Sequence, residues 1–412
     1  MKYPELRKMY YKDRDGYEQE CAMRPESAWA TVLPLEINGY KSYYMNCPEI
    51  TGLICEIYKN YIVLKKTVDR LPSIAYDCYK RNCLIDEVMM TNDLEGVHST
   101  KREISEILDA TQKESKKAMR LRGMVVKYEK LLSGSEEVIE LKNSRDIRKL
   151  YDELVIDEMA KEDLPDGEIF RKGPVSVVSA TDKEKHRGLP PPEKNIIDSM
   201  DKALEVINLG EFPVLIGIAA LHYYIGYIHP FYDGNGRLNR FISSYLLSMH
   251  LGTLVGLRLA YTIKNEKNLY YSAFDFANNK KNRGDITPFI IIFLKIVNDS
   301  IIQMLRKVWD GEEKFVFYAN LFDRLKPELD GDSHKILVVL IQDKIFGSGK
   351  FDIKGLAEVM EYGYSKMRKE LVKISESTME RLLKRSREGH RYIYSIDLDA
   401  LEEMAEKAGN ER

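Results

Sequence analysis

Apolar positions along the chain recur mainly at helical spacing, and strict alternation is rare. The first residues are irregular, with turn signals at Asn38-Gly39 and Cys47-Pro48. From Pro48 the pattern turns helical, with Ile54, Ile57, Ile62 and Leu64 recurring at roughly helical spacing. A second run extends from about Ile74 through Met90 and Leu94 to Leu108, and a third from Ile139 to Met159. The texture changes between Lys161 and Lys194. There Val175, Val177 and Val178 precede a polar stretch and Pro190-Pro191-Pro192, which predicts a short β-hairpin or flap. An amphipathic helix follows, carrying Ile196, Ile197, Met200, Leu204 and Ile207 on one face.

Beyond Gly210 and Pro213, the uncharged stretch Val214 to Ile228 falls about three residues short of a membrane span and contains His222. It reads as a buried core helix. Further helices are expected from about Arg237 to Leu251, over Asn268–Asn278 and over Thr287–Trp309. After about Asp310 come helical patterns at Ser333–Ile345, Ile353–Met360 and Tyr364–Ile374, then a strand at Arg391–Ile396. Helices followed by a terminal strand pair predict a small winged-helix-like module.

Composition adds bounds. The 412 residues suffice for two or three domains, and the 31% of charged residues is ordinary for a globular protein. A net charge of −2 supplies no global basic field, so nucleic acid is not implied at the level of the whole chain. Five cysteines with no CxxC spacing read as reduced thiols. The charged N-terminus is not a signal peptide, and the expectation is a cytoplasmic protein without a membrane segment.

The chemistry concentrates at His229-Pro230-Phe231-Tyr232-Asp233-Gly234-Asn235-Gly236-Arg237-Leu238-Asn239-Arg240. A helix beginning near Arg237 offers first-turn N–H groups and a partial positive charge to an anion. Gly234 and Gly236 let the backbone approach phosphate oxygens closely. Arg237 and Arg240, three apart, project from one face and suit a polyphosphate tail. Asp233 is a hard carboxylate suited to Mg²⁺. His229 can take a proton from a hydroxyl near neutral pH. Singly, a Gly-Asn-Gly turn or a His-Pro is commonplace. Nine specified residues in twelve are not, because each fixed identity cuts chance matches roughly twentyfold.

This stretch resembles the signature of the Fic family, His-Pro-Phe-x-(Asp/Glu)-Gly-Asn-Gly-Arg-x-x-Arg, in full, and the resemblance extends over about 92–297. It implies a mainly α protein: a Fic-type helical core at 111–309, a helical N-terminal region at 1–110 and the small module at 310–412. It further implies transfer of AMP from Mg-ATP to a Ser, Thr or Tyr hydroxyl. His229 would be the base and Asp233 the Mg²⁺ ligand. Gly234, Asn235 and Gly236 would form the anion hole, and Arg237 and Arg240 would hold the triphosphate, with Leu238 and Asn239 in the same nucleotide-binding segment. A flap at about 174–189, with Val177, Val178, Arg187 and Gly188, would align a protein substrate by strand addition. Tyr270, Tyr271 and Asn278 would border adenine, although core packing explains the tyrosines nearly as well. Upstream, Thr91-Asn92-Asp93-Leu94-Glu95-Gly96 resembles the family's inhibitory motif, on a helix expected at about 87–105. Glu95 would then pair with Arg240 where the γ-phosphate belongs.

Alternatives stay open. Removal of AMP, or transfer of another nucleotide monophosphate, uses the same cradle, whereas Gly236 argues against phosphorylation. A homodimer is left open. A different class, a DNA-binding regulator, is suggested by Ser365-Lys366-Met367-Arg368-Lys369-Glu370 and Lys384-Arg385-Ser386-Arg387. Such runs are more often solvated helix faces, so the module reads first as a target-recruiting or dimerisation element.

Overall fold

The computed structural model describes residues 3–109, 116–133, 139–178, 184–325, 330–388 and 391–410. Helices dominate, in keeping with the mainly α expectation. Two compact units are present: Met1–Tyr61 with Leu84–Ile301, and Ile62–Cys83 with Ile302–Arg412.

In the first unit the helix Val214–Ile228 is buried nearly all round, as its uninterrupted apolar run requires. Glu193–Asn208 packs its apolar stripe (Ile196, Met200, Leu204) against it, and Asn235–Leu251 packs on another side. Between Val214–Ile228 and Asn235–Leu251 lies the motif turn. Its position is therefore set by three packed helices. The sequence pattern shows only the turn of a further hairpin, Ala30–Ile37 paired with Tyr40–Met45. Asn38 (φ 54°) and Gly39 (φ 81°) supply the two left-handed residues of a tight hairpin turn. Pro34 and a register shift between Val32 and Glu36 hide the alternation.

The run expected from Ile74 to Leu108 is broken. One helix, Ser73–Leu94, ends before Gly96, which adopts φ +74°, and another spans Lys101–Asp109. The expected flap exists as Ser176–Val178 paired antiparallel with Glu184–Arg187; its turn lies outside the described residues.

In the second unit, Gly331–Phe346, Ile353–Val359 and Tyr364–Ser375 are helices. A short strand, Phe351–Asp352, precedes the second of them, and a hairpin, Leu383–Glu388 with Arg391–Ile396, follows the third. The hairpin's second strand is central in the three-stranded antiparallel sheet. Ile336, Leu340, Leu356, Leu371, Ile396 and Leu401 close one core. Thr287–Arg324 continues past the expected end at Trp309, and Gly311 within it lies where a side chain would strike the Phe346 ring. By length and composition this helix could cross a membrane, yet 72% of its most apolar window is buried inside the protein.

Candidate active site

The motif turn is built to hold its backbone still. His229 ends its helix in the left-handed region (φ 50°, ψ 65°), with its N–H on the Ile225 carbonyl at 3.0 Å. For a non-glycine residue this conformation is uncommon and calls for outside support. Arg171 gives it. That fully buried guanidinium donates from Nε to the His229 carbonyl (2.9 Å) and from Nη1 to the Gly173 carbonyl (2.6 Å). Its Nη2 donates to the Leu189 carbonyl at 2.8 Å. One cation thus ties the candidate base to both ends of the flap.

Asn235 closes the loop, accepting from the Phe231 N–H (2.9 Å) and donating to the Phe231 carbonyl (2.8 Å). The Phe231 ring stacks on Tyr151 with centroids 3.6 Å apart, and the Tyr151 hydroxyl donates to the Asp233 carbonyl at 3.2 Å. Gly234 (φ 79°) rests on the same tyrosine: a Cβ there would meet Tyr151 at 3.0 Å and Val155 at 3.1 Å. The helix Asn235–Leu251 starts immediately afterwards, so its first-turn N–H groups face the loop's mouth.

The two motif arginines lie in different surroundings. Arg240 donates from Nε to the Thr91 hydroxyl (2.8 Å) and from Nη2 to the Thr91 carbonyl (3.0 Å). The same Nη2 reaches Glu95 Oε1 at 2.6 Å. Burial pushes the Glu95 carboxyl up, but Arg240, with Arg237 and His229, outweighs it and holds the acid below its ordinary value. Gly236 leaves this pairing its room, since a Cβ there would overlap the Glu95 carboxylate. Arg237 instead donates from Nη1 to Glu158 Oε2 at 2.8 Å, both side chains being buried, and stands 3.5 Å from Asp233 Oδ2.

Asp233 is the open member, half exposed, with Oδ1 accepting from the Gly234 N–H at 2.6 Å. One half-exposed carboxylate beside a helix N-terminus fits Mg²⁺, which commonly takes one or two protein carboxylates and completes its shell with phosphate oxygens and water.

The other predicted residues are placed as follows. Leu238 is core, and Asn239 Nδ2 donates to the His222 carbonyl at 2.7 Å. Thr91 is an Arg240 partner, and Gly96 ends the turn after Glu95. Val177 pairs with His186, Val178 with Glu184, and Arg187 with Ser176 in the flap. Gly188 donates to the Val175 carbonyl at 3.1 Å, and a Cβ on it would stand 3.0 Å from that of His229. Tyr270 is buried, its hydroxyl 2.7 Å from His222 Nε2, while Tyr271 is half-buried and close enough to feel the charges of Glu95 and Arg240. Asn278 accepts from the Tyr223 hydroxyl at 2.9 Å, and its carbonyl accepts from Asn38 of the hairpin at 3.0 Å.

Sequence reasoning missed Arg171, Glu158, Tyr151 and Glu87. Glu87 shares a helix with Thr91, one turn earlier, and accepts from the Ala260 N–H at 2.7 Å and the Tyr261 N–H at 3.2 Å. Burial raises its carboxyl to about 7. The four-residue spacing Glu87, Thr91, Glu95 was the available signal.

A helix-bounded loop with a clamped histidine, two glycines and two buried arginines gathers the kinds of donor that suit an anion. Residues 141–247 match the model of the Fic/DOC family, so the chain contains a Fic-like segment there. A protein adenylyltransferase Fic of Drosophila yakuba is 38% identical over 76 residues, covering 18% of this chain and 14% of that protein. The chain thus spans about one seventh of that relative's length. A Fic family protein structure from Desulfovibrio desulfuricans G20 shares the fold, with a TM-score of 0.51 at 18% identity over 85% of this chain and 96% of that one. A Fic domain containing signaling protein from Bacteroides thetaiotaomicron gives a TM-score of 0.44 at 19% identity, covering 64% of this chain and 97% of that one.

Proposed function

We propose that this chain transfers AMP from Mg-ATP to a Ser, Thr or Tyr hydroxyl of a protein, and that Glu95 holds the reaction back. The observation that carries this reading is the 2.6 Å contact between Glu95 and Arg240, set one helical turn into the motif helix. It puts a carboxylate on a cation that the resemblance assigns to the triphosphate. The adenylyltransferase name of the Drosophila yakuba relative supports the same chemistry.

In this reading His229 accepts the hydroxyl proton on an imidazole nitrogen as the hydroxyl oxygen bonds to the α-phosphorus. The bond from that phosphorus to the bridging oxygen breaks, and pyrophosphate leaves. The first-turn N–H groups and Arg240 receive charge that develops on phosphate oxygens. Mg²⁺ on Asp233 would neutralise the departing phosphates. Carboxylate and γ-phosphate compete for one guanidinium, so ATP seats productively only when Glu95 leaves.

A second reading, hydrolysis of an AMP–protein bond, draws on Glu95 standing against the motif helix, where Arg240 above all keeps its carboxyl ionised. Mass spectrometry of the chain incubated with Mg-ATP separates these outcomes. Glu95→Gly should gain one AMP unit while the wild type gains little. Absence of AMP on both would sink the transferase reading, and equal labelling of both would sink the inhibition alone.

A further inference from the structure

We propose that the second unit binds duplex DNA through the exposed face of the helix Tyr364–Ser375 and the adjoining hairpin Leu383–Glu388/Arg391–Ile396. Over 364–375 and 383–396 there are eight lysines and arginines against two glutamates, in a chain whose net charge is −2. The cations are therefore gathered here, and the fold then sorts them.

Lys366 pairs with Asp332 (2.7 Å), Lys373 with Asp330 (2.9 Å) and Lys384 with Asp397 (2.6 Å). Arg368, Lys369 and Arg385 have no acidic partner among the described residues. Met367, Leu371 and Ile374 are buried, which fixes the helix's rotation and turns Tyr364, Arg368, Lys369 and Val372 outward. An ordinary solvated face would not need an aromatic and a branched aliphatic residue there, yet Tyr364 is 52% exposed and Val372 44%.

The hairpin continues the same surface. The Arg385 guanidinium lies 3.6 Å from the centre of the Tyr392 ring, a stacking that holds its fork extended rather than folded back. Met367, Leu371 and Ile374 of the helix share one buried core with Tyr394 and Ile396 of the hairpin, which sets the two elements side by side.

Shape selects the ligand. An α-helix with its side chains is about 10–12 Å across, and the B-form major groove is about 12 Å wide. The deep, narrow major groove of A-form RNA does not admit it. With the helix in the groove, a flanking two-stranded arm reaches the phosphate backbone. A helix pair followed by such an arm is the arrangement that places exposed arginines on both.

Fluorescence anisotropy of the full-length chain with a labelled mixed-sequence DNA duplex at about 50 mM salt tests this. Binding should weaken more than tenfold in the triple variant Arg368→Ala, Lys369→Ala, Arg385→Ala. The slope of log K against log salt should shrink by roughly 0.9 for each phosphate that is no longer neutralised. Lys366→Ala, which removes an already paired cation, should have a much smaller effect. Circular dichroism of each variant checks that the fold persists. No binding to the wild type, unchanged binding by the triple variant, or tighter binding to duplex RNA or polyglutamate would each overturn the proposal.

Discussion

Two groups of arginines divide the chemistry of this molecule. Around the motif turn, Arg171, Arg237 and Arg240 are almost fully buried, and each is held at fixed geometry by carbonyls or a carboxylate. On the helix Tyr364–Ser375 and its hairpin, Arg368 and Arg385 are exposed and lack a carboxylate partner among the described residues. A buried cation costs several kcal/mol in lost hydration, so it survives only where its partners repay that cost. What it gains is selectivity, because any ligand must displace or complement the same geometry. An exposed cation costs little and selects little. It suits a long polyanion, where number and salt matter more than placement.

The sharpest break of this contrast is Arg240→Ala. It leaves Glu95 partly buried without its cation, so we expect a loss of about 3–5 kcal/mol in unfolding free energy by chemical denaturation. Arg368→Ala, by the same measurement, should leave the transition where it was. Equal effects would erase the distinction between the two groups.

Next in size is a pH effect from the interior beside Arg240. His222 bonds Ser243 at 2.7 Å and Tyr270 at 2.7 Å, and burial, helped by Arg240, pushes its imidazole down to about 3. Because the folded value lies below the ordinary value, neutral His222 contributes stability above about pH 6.5, lost progressively as pH falls toward 3. Melting curves from pH 7 to 4 should show a steeper decline for wild type than for His222→Gln. Parallel curves would mean that burial does not hold this imidazole neutral.

Smaller still is Arg171→Lys. A lysine cannot span three carbonyls in a fixed fork, so the His229 backbone and the flap lose their common anchor. The Glu95→Gly background allows transfer to be read, and there we expect a several-fold lower kcat with little change in the KM for ATP. A change confined to the KM would place Arg171 in nucleotide binding instead.

Much of the frame is legible in the residues alone. The core helix Val214–Ile228 announces itself by an uncharged, mostly apolar run between Pro213 and His229, and the strand Arg391–Ile396 by its place after Gly389. The motif segment is legible because its residues are specified side chain by side chain. Arg171 is not, since its partners are backbone carbonyls that leave no mark on the residues supplying them. Glu158 stays hidden because its partner lies 79 positions away, beyond any local periodicity. Asn278, picked for the adenine border, uses its side-chain oxygen on Tyr223. The early hairpin escapes because a proline and a register shift interrupt its alternation.

Gly236 carries a consequence for how this chain can change. A methyl group there would fall on the Glu95 carboxylate, at the end of a flexible side chain, and close to Arg240. Gly236→Ala would therefore dislodge Glu95 by direct overlap while leaving that residue in the sequence, and Glu95→Gly would make room for the alanine. The two substitutions should be strongly non-additive in stability, although the positions lie far apart in the chain. The constraint runs one way: position 236 has room for a side chain only once position 95 has lost its carboxylate.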